Sequence, residues 1–239
     1  MNRLILLSIL CGLTLLAEPH WDIQYRYRQL DSTLTINDCV FPTAKTGIVI
    51  GFTTDRKEKD RPVAMVTSDG GATWKDYPLR ETGLSLFFLN ESAGWMVTEK
   101  GIWATAESGR TWTKLKNAPS GMSRIWFLTP QHGFAAGLEK RVFETTDGGD
   151  SWTLLPILKE VAGDALFTTF GEIAFTGDKG IISGWNIPPR RGGPSWMESG
   201  KGAARPEIPH YAVLLQTQDA GKTGTRAMPR CSVRFRASA

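Results

Sequence analysis

Apolar residues along this chain fall in short runs between turn formers, the pattern of short strands. Three runs, Ile48–Ile50, Trp95–Val97 and Phe134–Ala136, each follow a glycine: Gly47, Gly94 and Gly133. Each of these glycines stands six residues after a phenylalanine, Phe41, Phe88 or Phe127. A shorter fourth copy reads as Phe167, Gly171, then Ile173 and Phe175. A second marker keeps phase with the first. The strings TSDGGATW (Thr67–Trp74), TAESGRTW (Thr105–Trp112) and TTDGGDSW (Thr145–Trp152) align without gaps, and TQDAGKTG (Thr217–Gly224) is a degraded fourth. Their acidic positions are Asp69, Glu107, Asp147 and Asp219, at steps of 38, 40 and 72.

Two markers in register define a repeat. In each unit a strand ends near the Phe and a turn leads to the Gly. Second and third strands come next, the box closes their hairpin, and a fourth strand starts at the Trp. Four short strands in about 40 residues describe a propeller blade. The pattern therefore predicts an all-β chain, a β-propeller of about four four-stranded blades over 34–79, 82–117, 121–158 and 162–229. Residues 230–239 read as an irregular tail. The extra lengths, Thr53–Arg61 in unit 1 and about Pro188–Pro209 in unit 4, fall between second and third strands. They are expected as loops on one face, with unit 4 a single blade carrying a long loop. RRGGPSW (Arg190–Trp196) as a decayed box is the competing alignment. Trp21–Leu30 resembles the stretch after a box Trp, and is expected as a strand lent to the last blade. After Asp219 no fifth unit appears. A chain cut short or carried into a shifted reading frame, a four-bladed ring and a half-ring completed by a second copy all fit that pattern.

The residue types of the box have folding roles. A carboxylate at Asp69, Glu107, Asp147 or Asp219 accepts from N–H groups of its own turn, and the hydroxyl of Thr67, Thr105, Thr145 or Thr217 adds a bond. Gly71, Gly109, Gly149 and Gly221 supply positive φ. Trp74, Trp112 and Trp152 are expected to bury large rings between blades. Glu107 should fit its turn less well than Asp, and Gly224 in the place of Trp should make the fourth blade the weakest.

The motif resembles the Asp-box, or bacterial neuraminidase repeat. The fuller unit, from Phe through Gly-Trp or Gly-Phe to the box, is similar to the photosystem II stability/assembly factor-like propellers. The resemblance covers about residues 20–225. It implies a ring whose face binds a protein, in that family a membrane-protein intermediate. Asp-boxes also occur in sialidases, xyloglucan-cleaving glycosidases and sortilin-type receptors, so the motif specifies fold more than function.

Composition narrows the classes further. Of 239 residues, 41% are hydrophobic and 22% charged, which is globular. The net charge of +4, with no basic stripe, gives no reason to expect nucleic acid. Residues 1–17 read as a secretory signal, with Arg3 ahead of an uncharged Leu4–Leu16 core. An uncleaved anchor, or lipidation at Cys11, is the alternative. Export to the periplasm or the outside is expected. Cys39 and Cys231 then remain, expected as a buried free thiol and a tail residue.

A catalytic set is not recognisable. Arg124-Ile125 is followed by Trp126 where a sialidase start would carry Pro. Tyr25, Tyr27, Tyr77 and Tyr211 lack a catalytic context, and Asp164, Glu172 and Asp178 read as solvated loop acids. His20, His132 and His210 are isolated, so no metal and no cofactor is expected, with His132 exposed in its turn. The reading favours a non-enzymatic, protein-binding propeller. Its candidate contact is Trp185, Arg190, Arg191 and Trp196, with self-association if the ring is incomplete. A glycan-active propeller, hydrolase or lectin, is the alternative; Trp95, Trp103 and Trp126 would serve it if exposed.

Overall fold

The computed structural model describes residues 23–156, 161, 163–187 and 211–222. Each run of short strands folds back on itself as an antiparallel meander. The first sheet is β1 (Ser32–Val40), β2 (Gly47–Asp55), β3 (Asp60–Thr67) and β4 (Lys75–Pro78). The second is β5 (Gly83–Phe88), β6 (Gly94–Thr98), β7 (Gly101–Thr105) and β8 (Thr113–Lys114). The third is β9 (Met122–Phe127), β10 (Gly133–Gly137), β11 (Val142–Thr145) and β12 (Thr153–Leu154). The fourth has three strands among the described residues: β13 (Thr168–Thr176), β14 (Lys179–Asn186) and β15 (Tyr211–Thr217). The protein is all-β, a β-propeller of about four blades.

The blades succeed one another around an arc. Successive innermost strands β1, β5, β9 and β13 pack side by side. Three cores lie between the sheets, because each sheet has two faces and must bury both. Ile50 and Ala64 of the first blade meet Met96 and Trp103 of the second. Trp95, Val97 and Ile102 meet Met122, Ile125, Phe127 and Ala135 of the third. Phe134, Ala136 and Val142 meet Phe170, Ile173, Ile182, Val213 and Leu215 of the fourth, with Val161 alongside. No strand of the first sheet packs extensively on the fourth, so the described strands do not close a ring among themselves.

All four innermost strands carry a bulge. The register shifts between Ile36 and Asp38, Gly83 and Ser85, Met122 and Arg124, and Phe170 and Glu172. A bulge bends a strand and redirects its side chains. Two of the redirected residues bind the next blade: Leu86 N–H donates to Asp38 Oδ2 at 2.8 Å, and Arg124 forks onto Glu172 at 2.9 and 3.1 Å.

Several expectations are corrected. Thr53–Arg61 is not mainly a loop, because β2 and β3 continue paired to Thr54 and Asp60. A tight turn closes that hairpin, with Lys57 N–H and Lys59 N–H donating to Asp55 Oδ1. In the fourth unit Phe167 ends a 3-10 turn, Ala165–Phe167, and Gly171 sits at the bulge of β13. The true pair is Phe175 and Gly180, opposite each other across a hairpin so tight that the spacing falls to five. Residues 23–30 form no strand and lie on the first blade: Tyr25 stands beside Asp76 and Gln24 beside Gly71. Cys39 is free and exposed, not buried, since it pairs with Val49 on the side of β2 away from the second blade. Residues 1–22, RRGGPSW, the 188–210 segment and Cys231 lie outside the described residues.

Candidate functional site

The four boxes carry the most repeated chemistry in the fold. In the first, Thr67 Oγ1 donates to Asp69 Oδ1 at 2.7 Å and accepts from Gly71 N–H at 2.9 Å. Asp69 also accepts from Thr73 N–H at 2.9 Å and Thr73 Oγ1 at 2.6 Å. The third box repeats this with Thr145, Asp147, Gly149 and Ser151. The hydroxyl of Thr73, or of Ser151, leads the donors that hold each carboxyl at about 2. In the second box Glu107 keeps only Thr111 Oγ1, at 2.8 Å, and the turn's own Glu107 N–H bonds Thr105. The extra methylene moves the carboxylate away from Thr105 Oγ1 and Thr111 N–H. In the fourth, Thr217 donates to Asp219 at 2.9 Å and accepts from Gly221 N–H at 2.8 Å.

The two sequence markers meet in space. Phe41 and Trp74 stand edge to face at 6.0 Å, Phe88 and Trp112 at 6.2 Å, Phe127 and Trp152 at 6.3 Å. The same Phe rings lie over the glycines six residues on. A Cβ on Gly47, Gly94 or Gly133 would come within 2.4, 2.6 or 2.7 Å of the ring. The glycine in each copy is steric: only a hydrogen fits beneath the ring. Trp112 packs on the first inter-blade core and Trp152 on the second. Among the described residues no blade precedes Trp74, and its buried Nε1 lacks a partner.

One device was missed at the sequence level. Two residues after each Phe, a side-chain oxygen accepts backbone N–H groups of the Phe-to-Gly turn: Thr43 from Lys45 and Thr46, Asn90 from Ser92 and Ala93, Thr129 from Gln131 and His132. Ser, Thr, Asn and Asp cap turns this way, so the signal was readable at that position. Each box is then sewn to this turn by a backbone bond: Gly70 to Lys45, Ser108 to Ser92, Gly148 to Gln131, Ala220 to Asp178.

The remaining acids are also occupied. Asp164 caps the 3-10 turn by accepting from Leu166 N–H, Glu172 holds Arg124, and Asp178 lies in the β13–β14 turn, so they do not act together. His132 is half-buried, not exposed, because its Nε2 bonds Glu144 at 2.8 Å and its ring packs on Phe134. Glu81 lies in an open cleft of about 520 Å³ with Arg80, Trp103, Trp112, Thr113 and Lys114. Burial alone would raise its carboxyl, but Lys114 Nζ, Thr98 Oγ1 and Trp103 Nε1 together hold it at about 2. It is ionised at neutral pH and has no proton to give. Lys140 Nζ is buried against the carbonyls of Val161 and Gly163, which lowers its pKa and latches the linker into the fourth blade. Among the described residues no group of three His, Cys, Asp or Glu is placed to hold a metal, and no helix is long and apolar enough to cross a membrane.

Of the four residues singled out for contact, Trp185 is described: it is 45% exposed on β14, its ring over Gly171. Arg190, Arg191 and Trp196 lie outside the described residues. Beside Trp185 stand Ile181, Ile187 and Leu214, all exposed. Trp95 and Trp103 are buried and Trp126 packs at the third core, so none is an open sugar platform.

No protein-family model matches the chain, and no curated protein sequence matches it. Solved structures do. A Niastella koreensis GH74 enzyme is 13% identical over 76% of this chain and 28% of its own, with a TM-score of 0.52. The GH74 xyloglucanase of Xanthomonas campestris is 14% identical over 76% and 29%, with a TM-score of 0.53. The chain thus spans less than a third of the length of these enzymes. At this identity the likeness is one of fold. A structure of YCF48 bound to D1 peptide is 17% identical over 82% and 81%, but superposes with a TM-score of only 0.32.

Proposed function

We propose that this chain is a non-enzymatic, exported propeller module that binds a protein partner. One observation carries the reading. The last sheet presents Trp185, 45% exposed, beside exposed Ile181, Ile187 and Leu214, on a rigid scaffold. Exposed tryptophan with aliphatic neighbours is the composition of a protein-binding hot spot. The chemistry of the remaining side chains supports the same reading. The carboxylates of the first and third boxes are spent within their turns, and Glu81 is held ionised by Lys114. A glycosidase acid must instead keep its proton near neutral pH. The resemblance to assembly-factor propellers points the same way.

The test is retention of partners from an extracytoplasmic extract of the native host by the purified chain. Trp185→Ala should lose them with the circular dichroism unchanged and the melting temperature lowered by only a few degrees, because about half of the ring already stands in solvent. Equal retention by wild type and variant would remove this surface from the reading. Turnover of sialoside or xyloglucan substrates, abolished by Glu81→Gln, would replace it with the glycan-active alternative.

A further inference from the structure

The repeat supplies an internal control for the exposed face of the last blade. Taking the glycine beneath the Phe ring as origin, the next residue along the second strand is Ile48, Trp95, Phe134 and Ile181 in the four blades. The first three are 0%, 6% and 2% exposed, and each faces the following blade; Ile181 is 45% exposed. Two residues further stand Ile50, Val97, Ala136 and Ser183, whose cross-strand partners are Ala64, Ile102, Val142 and Leu214. Those partners are 0%, 0% and 1% exposed in the first three blades and 47% in the last. The surface made by Ile181, Leu214 and Trp185 is therefore a blade-packing face, built like the three that are covered, with no blade on it among the described residues.

The opposite end of the arc is different. There the box glycine Gly71 is met by Gln24, where Gly109 is met by Ile48 and Gly221 by Phe134, each from the preceding blade. The segment 23–30 thus takes the place of a preceding blade on blade 1. Head-to-tail stacking of copies would have to displace that segment, and face-to-face stacking of the two last blades would not. The charges on the bare face suit self-pairing. Glu172 is already clasped by Arg124, and Lys179 stands at the hairpin margin beside Thr176, away from the centre of the sheet.

We propose that the occupant of this face is a second copy of this chain, bound blade 4 to blade 4 about a two-fold axis. The inference rests on the reading that this surface binds protein, and names the partner. A C2 contact uses one self-complementary patch twice and closes the assembly at two copies. Two three-stranded faces pack as aligned sheets about 10 Å apart. Three strands about 4.8 Å apart and about seven residues long give a footprint of roughly 14 by 23 Å. That lies below the usual size of stable interfaces, so the dimer is expected to be weak and to form only toward the upper end of the range tested below.

Sedimentation velocity of the full chain from about 1 to 200 μM should show a monomer–dimer equilibrium. Ile181→Asp and Leu214→Asp, each at an exposed site, should raise the dissociation constant more than tenfold with unchanged circular dichroism. A photo-crosslinking residue at position 214 provides the second measurement, independent of any folding effect of those variants. Crosslinks between two copies through blade 4 support the proposal. A chain monomeric throughout the range, with crosslinks to a different protein, overturns the second copy and leaves the protein-binding reading standing. A monomer with no crosslink at all overturns both. Crosslinks from blade 4 to residues 23–80 of another copy overturn the two-fold arrangement.

Discussion

Phe127 and Phe41 occupy the same place in the repeat, and truncating them should have very different consequences. Phe127 is 1% exposed; its ring stacks on Trp95 at 3.6 Å and 7°, meets Trp152 edge-on, and covers Gly133. Phe127→Ala removes a wholly buried ring from the joint between the second and third blades, a class of change that costs about 3–5 kcal/mol. The loss of two aromatic contacts, about 0.5–1.5 kcal/mol each, places it at the upper end. Phe41 is 51% exposed and has one aromatic partner, Trp74. Full burial of such a side chain is worth about 1.5–3 kcal/mol, so half of it gives about 0.7–1.5 kcal/mol for Phe41→Ala. In urea, with a slope near 2 kcal/mol/M, the midpoints should fall by about 2 M and about 0.5 M. Tryptophan fluorescence and far-ultraviolet circular dichroism read both transitions. Equal shifts for the two variants would refute the argument, because they would mean that the rings serve their own turns only and do not join blades.

Other changes test the remaining devices. Gly133→Ala puts a methyl carbon about 2.7 Å from the Phe127 ring and should cost about 1–3 kcal/mol; a neutral result would show that the ring is free to move. Glu107→Asp should raise the melting temperature by a few degrees, because a shorter side chain can take the two bonds that Asp69 and Asp147 make and Glu107 does not. Acid should unfold the protein through Asp69, Asp147 and Glu81, each held at about 2. A carboxylate lowered on folding stabilises above its unfolded value, and that contribution disappears as pH falls from about 4 toward 2. The Asp69→Asn, Asp147→Asn double variant should therefore be less stable at pH 7 and show a flatter acid limb by fluorescence. An unchanged limb would show that the box carboxylates do not drive acid unfolding.

Where the sequence was legible, the physics was local. A box turn is built from residues at most four apart, so its bonds follow from residue types and spacing. The Phe-to-Gly interval is almost as local, because it spans one hairpin. It failed in the fourth unit for the same reason: a tight β13–β14 hairpin shortens the interval to five, and the nearby Phe167 and Gly171, four apart, imitate a shortened copy. The bulges left no trace in the pattern, yet a one-residue shift changes which face a side chain takes. Cys39 comes just after such a bulge and ends exposed. The cleft around Glu81 was invisible because its partners Thr98, Trp103 and Lys114 lie 17, 22 and 33 residues away on separate strands. Residues 23–30 mimic a strand in composition, and only the tertiary structure places them as a cover on blade 1.

The decayed fourth box shows how the joint and the surface of a blade separate. Losing the box Trp at Gly224 removes the ring that, in the second and third units, braces the inner Phe against the preceding blade. The largest of the three cores nevertheless lies between the third and fourth blades, with nine buried residues. Its aromatic mass comes from elsewhere: Phe175 stacks on Phe134 at 5.2 Å and 16°, and Phe134 approaches Gly221. Arg124 on Glu172 and Lys140 on the linker carbonyls add polar ties across the same boundary. The attachment of the last blade thus draws on all three of its described strands and does not need a box Trp. Its far side is under no such demand, and Ile181, Trp185 and Leu214 stand in the open. A face held rigidly from behind, with its apolar side chains exposed in front, has little mobility left to lose in any contact, so packing another sheet on it would cost less ordering than packing on a loop.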